Sequence, residues 1–226
     1  MYKLIKRFFD IILALTVLII LSPFLIPIVL GLMLTGEKKV FYRQNRVGYK
    51  NNPFSILKFV TMLKNSPNML SGSLTVRNDP RITPMGGFLR KTKINELPQV
   101  INVLIGNMSI VGPRPQMKVD FDVYPEHVRQ KIYDCKPGIT GIGSIIFRDE
   151  EKFISVEGIN PKEFYAERIA PYKGEVELWY QKNISFITDF IIIFLTAWVI
   201  ISPNSELAFK LFSDLPTRPD YLKNTY

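Results

Sequence analysis

The chain has 226 residues, of which 47% are hydrophobic and 22% are charged, and its formal net charge is +9. This length and apolar content allow one folded domain with a membrane element beside it and exclude a disordered chain, while the charge predicts an anionic partner: nucleic acid, a membrane surface or a phosphorylated substrate. One cysteine excludes an intrachain disulfide, and one histidine makes a site with several histidine ligands, or a serine–histidine–aspartate triad, hard to build.

The first predicted element is a membrane segment. Residues 11 to 36 carry no charged side chain, and about 20 apolar residues suffice to cross the hydrocarbon layer. A cleaved signal peptide is disfavoured because the apolar run is too long and no small-x-small cleavage site follows it. Ser22-Pro23 lies in the middle of the run, where proline predicts a break or kink and Ser22 can hydrogen-bond a freed carbonyl group.

Basic residues flank both ends of this segment. Lys3, Lys6 and Arg7 precede it, and five more cations follow it between residues 38 and 50. The positive-inside rule draws both flanks toward the cytoplasm. We therefore predict a re-entrant membrane helix hairpin over residues 1–36, broken at Ser22-Pro23, with a spanning helix as the alternative.

Residues 37–183 are the second predicted region, and from residue 40 to residue 180 they have the mixed polarity of a soluble domain. Residues 40 to 43 and 53 to 59 alternate between apolar and polar side chains, and the segment between them is rich in turn residues. This pattern predicts a β-hairpin. Serine, asparagine, proline and glycine recur from residue 65 to residue 87, which predicts a loop.

The next predicted element is a helix that begins near Asn95. Apolar residues recur at helical spacing at Leu97, Val100, Ile101 and Leu104. Pro98 is tolerated only in a first turn, and Gly106 is a plausible stop. Asn95 is expected to be the N-cap, which places Glu96 in the first turn, where the helix dipole favours a carboxylate or a phosphate. An ordinary capped helix is the competing interpretation.

Cations beside proline or glycine surround this helix start. They occur in Asp79-Pro80-Arg81, Leu89-Arg90-Lys91, Gly112-Pro113-Arg114-Pro115 and Lys136-Pro137-Gly138-Ile139-Thr140-Gly141. Proline and glycine fix the backbone shape and permit close approach, so we expect these cations to bind a diphosphate, although each taken singly is more often a surface charge. Nucleic-acid binding is the weaker interpretation because no stacking motif or recognition helix accompanies them.

The last predicted element lies in residues 184–226. Residues 184 to 201 are mostly apolar, and Asp189 is the one charged residue among them. Their length favours a helix that lies in or against the membrane interface, with Trp179 and Trp198 at the headgroup level. A second span and a plain core helix remain alternatives.

Seven motifs in a fixed order extend from the N-terminus to residue 141. They are Lys6-Arg7-x-x-Asp10, Ser22-Pro23, FYRQNRVG (41 to 48), KFVTM (58 to 62), NDPRIT (78 to 83), FLRKTKINELPQVINVLIGNMSIVGPRP (88 to 115) and KPGITG (136 to 141). With these motifs the chain resembles the bacterial sugar transferase family, the small monotopic phosphoglycosyl transferases. The resemblance implies an α/β, mostly α, monotopic membrane protein with interfacial helices, in the bacterial inner membrane, with its catalytic region facing the cytoplasm.

The resemblance also implies an activity: transfer of a phosphosugar from a UDP-sugar to undecaprenyl phosphate, with release of UMP and with Mg²⁺ as cofactor. In the family pattern, the aspartate of an Asp-Glu dyad attacks the sugar nucleotide. Glu96 matches the second dyad residue and Asn95 occupies the place of the first, so both are the expected catalytic and magnesium-binding positions. The expected phosphate and nucleotide contacts are Lys58, Arg81, Arg90, Arg114, Lys136, Gly138 and Thr140.

Two residues depart from the family pattern: Asn95, and Val60 in place of a cation. A neutral amide is a poor nucleophile, which leaves three explanations. In the first, Glu96 takes over the role of the aspartate and the lipid acceptor attacks the sugar nucleotide directly. In the second, asparagine results from an engineered change of aspartate or is converted to aspartate by deamidation, and in the third the chain is an inactive binding protein. The second candidate function is accordingly a catalytically inactive, membrane-bound protein that binds sugar nucleotide or polyprenyl phosphate in a glycan assembly complex. The third candidate function is a membrane-tethered nucleic-acid binder. The expected partners are the UDP-sugar, undecaprenyl phosphate and membrane lipid, without nucleic acid. The identity of the sugar and homo-oligomer formation are left open.

Overall fold

The structure is a computed structural model that describes residues 2–66, 79–154, 158 and 160–223. The helices are α1 (Tyr2–Leu34), α2 (Pro84–Lys91), α3 (Gln99–Ile105), α4 (Lys118–Phe121), α5 (Glu126–Arg129), α6 (Ile142–Ile146), α7 (Glu150–Ile154), α8 (Pro161–Phe164), α9 (Ala170–Lys182), α10 (Phe186–Ile201), α11 (Leu207–Leu211) and α12 (Asp220–Lys223). The strands are β1 (Phe41–Val47), β2 (Pro53–Phe59), β3 (Ser109–Val111) and β4 (Gly138–Thr140). Single turns of 3₁₀-helix lie at Tyr49–Asn51 and Ile94–Glu96, and a π-helical turn at Tyr165–Ile169 precedes α9. The mostly helical α/β class is confirmed.

Two small sheets accompany the helices. β1 and β2 form the predicted antiparallel hairpin, in which Phe41 lies opposite Phe59 and Val47 opposite Pro53. β3 and β4 are parallel, with Val111 opposite Thr140. The hairpin is confirmed, whereas the parallel pair arises from segments that are distant in the chain.

The last residues of the loop predicted over residues 65 to 87 are helical, because α2 begins at Pro84. Residues 67 to 78 of the same prediction lie outside the described residues. The Thr83 hydroxyl caps this helix by accepting the N–H of Gly86 at 3.0 Å. A capping threonine followed by proline at the first helical position is a start signal, which explains the early helix.

Helix α1 is continuous through Ser22-Pro23, so the helix break expected there is not found. Pro23 cannot donate to the carbonyl of Ile19, and the Ser22 hydroxyl donates to that oxygen at 2.9 Å. The side chain thereby replaces the missing backbone hydrogen bond, and the helix continues. Among the described residues, α1 is the one helix long and apolar enough to cross a membrane.

Both halves of α1 pack on the same body. Ala14 is buried in a cluster with Val103 and Met108, and Leu32 is buried in a second cluster with Leu89. Near the start of the helix, the Asp10 carboxylate accepts the Ile110 N–H at 3.0 Å. The outward face is apolar and exposed at Leu4, Phe8, Phe9, Ile12, Leu15, Ile19, Ile20, Phe24, Ile26, Leu30, Met33 and Leu34.

Helix α10 has one buried and one exposed apolar face. Ile192, Leu195 and Val199 lie in the main core, whereas exposed apolar side chains occupy the opposite face at Ile187, Phe190, Phe194, Ile200 and Ile201. This is the pattern of a helix that lies against an apolar phase. The expected headgroup position of Trp179 is wrong: its ring is buried and its Nε1 donates to Asp214 at 2.8 Å. Tertiary packing of the C-terminal segment covers it.

Asp189 links α10 to the start of α1. Its carboxylate accepts the hydroxyl of Tyr2 at 2.8 Å, the ammonium of Lys6 at 2.5 Å and the hydroxyl of Tyr180 at 2.7 Å. A buried carboxylate requires such partners. The charge that interrupts the apolar C-terminal run therefore has a structural role.

Candidate functional site

Glu96 lies at the centre of an ion-pair cluster with Lys58 and Arg114. Lys58 Nζ donates to Glu96 Oε1 at 3.0 Å, while the Arg114 guanidinium donates from Nη1 to Oε2 at 3.0 Å and from Nη2 to Oε1 at 2.5 Å. The side chains of Lys58 and Glu96 are 14% and 17% exposed, whereas Arg114 is 34% exposed. The cluster thus has a buried base and presents Arg114 toward the outside.

Three different elements carry these side chains. Lys58 lies near the end of β2, opposite Tyr42, and Arg114 follows the Gly112-Pro113 turn after β3. Glu96 belongs to the 3₁₀ turn Ile94–Glu96, which Lys93 enters with φ 60° in the left-handed region. The expected N-cap position of Asn95 is wrong. Helix α3 begins at Gln99, after Pro98, because the chain closes a separate turn first; the predicted stop at Gly106 is confirmed by φ 99°.

Asn95 lies in the same turn as Glu96 with its side chain buried at 7% exposure. Its Oδ1 has no hydrogen-bond partner among the described residues. A buried acceptor without a donor is unfavourable.

The charges of the cluster perturb each other. Burial alone raises the pKa of the Glu96 carboxyl, but the charges and hydrogen bonds of Arg114 and Lys58 outweigh burial and hold it well below its ordinary value. Burial lowers the pKa of Lys58 to about 8 against the opposing charge of Glu96, with Arg46 and Arg114 adding repulsion. Glu96 is therefore ionised at neutral pH, and its lone pairs are directed to cations.

Arg46 is a member of this site that the sequence analysis did not single out. Its guanidinium donates to the Pro115 carbonyl at 3.2 Å, and burial together with the charge of Arg114 lowers its pKa to about 10. The hairpin register places Arg46 and Lys58 on the same face of β1 and β2, since Arg46 pairs with Phe54 four residues before Lys58. The alternation of side chains along the two strands could therefore have identified Arg46 from the sequence.

Gly138 and Thr140 support Arg114 through the backbone. The Gly138 N–H donates to the Pro113 carbonyl at 2.9 Å, and the Gly112 N–H donates to the Thr140 carbonyl at 2.9 Å. A Cβ atom on Gly138 would overlap the Gly112 backbone, so only glycine permits this approach. The Thr140 hydroxyl is bound to that of Thr196 at 2.6 Å. Both residues form the framework of the turn that carries Arg114.

The structure does not bring the other predicted contacts to Glu96 as ion-pair partners. Lys136 lies near Gly106, at the far end of α3, where burial and the charge of Arg7 lower its pKa. Arg81 is 1% exposed and its guanidinium is bound by Asp79, with Nη2 to Oδ2 at 2.6 Å. Its predicted role in phosphate binding does not fit this burial, because the local Asp-Pro-Arg turn uses the guanidinium. Arg90 lies in the last turn of α2, near the same carboxylate: hydrogen bonds from Arg81 lower the pKa of Asp79, and the charge of Arg90 adds to this lowering.

The donor set does not fit a magnesium ion held by the protein alone. The described residues contain no group of three or more histidine, cysteine, aspartate or glutamate side chains that could hold a metal ion. Both oxygens of Glu96 are paired with cations, and Asn95 offers one neutral oxygen. Magnesium prefers charged oxygen ligands and is repelled by neighbouring cations.

Comparison with known proteins gives consistent matches. The bacterial sugar transferase family model matches residues 1–203. A UDP-glucose:undecaprenyl-phosphate glucose-1-phosphate transferase of Escherichia coli K12 is 37% identical over 83% of this chain and 40% of its own length. An undecaprenyl-phosphate galactose phosphotransferase of Salmonella typhimurium is 32% identical over 88% of this chain and 41% of its own length. The exopolysaccharide production protein ExoY of Sinorhizobium fredii is 32% identical, with 84% of this chain and 83% of that protein covered. The chain therefore spans less than half of the length of two of these relatives and most of the third.

Proposed function

The chain belongs to the bacterial sugar transferase family, and from this premise we propose that it transfers a sugar 1-phosphate from a UDP-sugar to undecaprenyl phosphate and releases UMP. Two relatives carry names that describe this type of transfer, one for glucose and one for galactose. The observation that carries the proposal is the cluster of Lys58, Glu96 and Arg114. It holds two cations in a preformed arrangement, as recognition of a diphosphate requires.

Within this cluster, Glu96 is best suited to orient the cations. An arginine has five N–H donors, and Glu96 uses two of those of Arg114, so others remain for a phosphate oxygen. Because Glu96 already fixes the guanidinium, little reorganisation is needed when the substrate binds. Lys58 and Arg46 add positive charge at the base of the site.

The residues favour direct attack by the lipid phosphate. Asn95 is neutral, and the carboxylate of Glu96 is weakly nucleophilic because both oxygens are bound to cations. In this route an oxygen of undecaprenyl phosphate attacks the β-phosphorus of the UDP-sugar. The bond from that phosphorus to the bridging oxygen breaks, and UMP leaves with the electron pair. Attack by Glu96, with a phosphosugar on the protein as intermediate, is the competing route.

The decisive experiment measures UMP release from a panel of UDP-sugars by detergent-purified protein, with and without undecaprenyl phosphate. Release that requires the lipid supports direct transfer and identifies the sugar. One equivalent of UMP per protein without the lipid would instead indicate the Glu96 intermediate. No release from any sugar, while an aspartate-containing relative is active in parallel, would refute transferase activity and favour the silent partner. Asn95→Asp, tested alongside, shows whether a carboxylate at position 95 restores activity. EDTA in the same assay tests the magnesium dependence that the resemblance implies.

The fold supports a monotopic placement in the bacterial inner membrane, with the site on the cytoplasmic face. Both halves of α1 pack on one body, and the exposed faces of α1 and α10 are apolar. Lys3 and Lys39 are exposed near the two ends of α1. In a Cys135→Ser background, Lys3→Cys and Lys39→Cys should both react with an impermeant thiol reagent from the cytoplasmic side only. Labelling from opposite sides would establish a spanning helix.

A further inference from the structure

A buried carboxyl group lies beneath the turn that carries Arg114. Glu177, on α9, is 1% exposed, and its Oε1 accepts the backbone N–H of Arg114 at 3.4 Å. Its Oε2 has no hydrogen-bond partner among the described residues. Gly143 makes room for this carboxyl, since a Cβ atom there would lie 2.8 Å from Cδ of Glu177 and would overlap Oε1. The surrounding fold is shaped to hold a carboxyl group at this place.

The charged neighbours of Glu177 do not neutralise it fully. Burial raises the pKa of Glu177 to about 7, against the Arg114 N–H and the charges of Lys173 and Arg114. Lys173, one turn earlier on α9, forms its ion pair with Glu150. Among the described residues, Tyr124, Tyr133 and Cys135 also interact electrostatically with Glu177, and burial raises the pKa of each of them. The ionisation of Glu177 therefore falls in the neutral range.

We propose that Glu177 is a positioning residue that, when ionised, holds the Arg114 backbone and thereby aims the guanidinium at Glu96 and the substrate phosphates. An ionised carboxylate accepts the N–H more strongly than a neutral carboxyl group does. The turn is held firmly above pH 7 and loosens below it. The effect on turnover rests on the proposed transferase function, whereas the link between Glu177 and the Arg114 amide does not.

This role predicts opposite effects on stability and on activity. The pKa of Glu177 is higher in the folded state than the ordinary value of 4.5, so the folded state binds more protons between pH 4.5 and about pH 7 and stability falls as the pH rises through that window. Glu177→Gln removes the buried charge and should leave the melting temperature at pH 8 equal or higher. A merely structural role predicts a lower melting temperature.

The activity test compares kcat and KM between pH 6 and pH 8.5. In the unaltered chain, kcat should fall roughly tenfold from its plateau one unit below the midpoint, since about a tenth of Glu177 remains ionised there. Glu177→Gln should give a low kcat without the fall below pH 7, and Glu177→Asp should retain that fall. Glu175→Gln is the matched control, because this exposed glutamate of the same helix pairs only with His127 among the described residues, and its profile should match the unaltered chain. A Glu177→Gln profile equal to that of the unaltered chain would overturn the proposal.

A second measurement is independent of activity. In protein labelled with ¹⁵N at arginine, the Arg114 amide signal is assigned by its loss in Arg114→Lys. Its chemical shift should titrate with a midpoint near 7 in the unaltered chain and should stay constant in Glu177→Gln. Titration without any UMP release would leave the Glu177 link standing and refute the transferase. No titration, or the same titration in both proteins, would refute the role of Glu177.

Discussion

Glu96→Gln is expected to destabilise the fold because it leaves two cations without their carboxylate. Glutamine keeps the size and one acceptor oxygen but cannot neutralise Lys58, whose side chain is 14% exposed, or Arg114. Removing one partner of a buried ion pair costs about 3–5 kcal/mol, and the partial exposure of Arg114 favours about 3. For a chain of this length each kcal/mol corresponds to roughly 2–4 °C, so the melting temperature should fall by about 6–12 °C.

The loss should depend on pH in a defined direction. The pKa of Lys58 in the folded protein is about 8, below its ordinary value of 10.5, so the folded state binds fewer protons in that window and stability rises with pH from about 8 to 10.5. Without Glu96 the pKa of Lys58 falls further and this window extends below pH 8. The loss of stability caused by Glu96→Gln should therefore be smaller at pH 9 than at pH 7.

The assay is thermal unfolding in detergent for Glu96→Gln, Lys58→Met and the double variant. The double variant should recover part of the loss, since Lys58 no longer leaves a buried unpaired charge. Asp134→Asn is the matched control: it breaks the ion pair with Lys50, whose two side chains are 55% and 49% exposed, and should cause no measurable change. A Glu96→Gln melting temperature equal to that of this control would refute the buried cluster.

Two further substitutions test the fold that positions the site. Gly86→Ala should lower the free energy of unfolding by roughly 2 kcal/mol, because the new Cβ would overlap the Thr61 carbonyl. Gly87→Ala would meet only Cγ2 of Ile82 at 3.9 Å, an ordinary contact, and should be neutral or stabilising by up to about 1 kcal/mol in thermal or denaturant unfolding. Asp189→Asn should cost about 2 kcal/mol by removing the charged acceptor of Lys6, and should increase hydrogen exchange in the first turns of α1; unchanged exchange there would contradict the link between α1 and α10.

The positions of several helices and strands could be predicted from short-range patterns in the sequence. Alternation predicted the hairpin, the apolar run predicted α1, and Gly106 marked the end of α3, because each depends on residues within a few positions of one another. The start of α3 was placed too early because Asn95 and Glu96 form their own turn. The proline at position 23 predicted a break, but a hydrogen bond from the neighbouring serine lets the helix continue.

The sequence by itself determined the family, the long apolar helix α1 and the two cations of the cluster, Lys58 and Arg114, whereas Arg46 was not singled out although it also stands in one of the motifs. Only the tertiary structure decided which charges meet. Glu96 joins Lys58 across 38 residues and Arg114 across 18, and Glu177 reaches the Arg114 backbone across 63. Arg81, equally basic and equally close to proline in sequence, is instead bound by Asp79 two residues away. Local chemistry is the same in both arginines, and the energetic cost of burying a charge makes each one pair with the carboxylate that the fold brings to it.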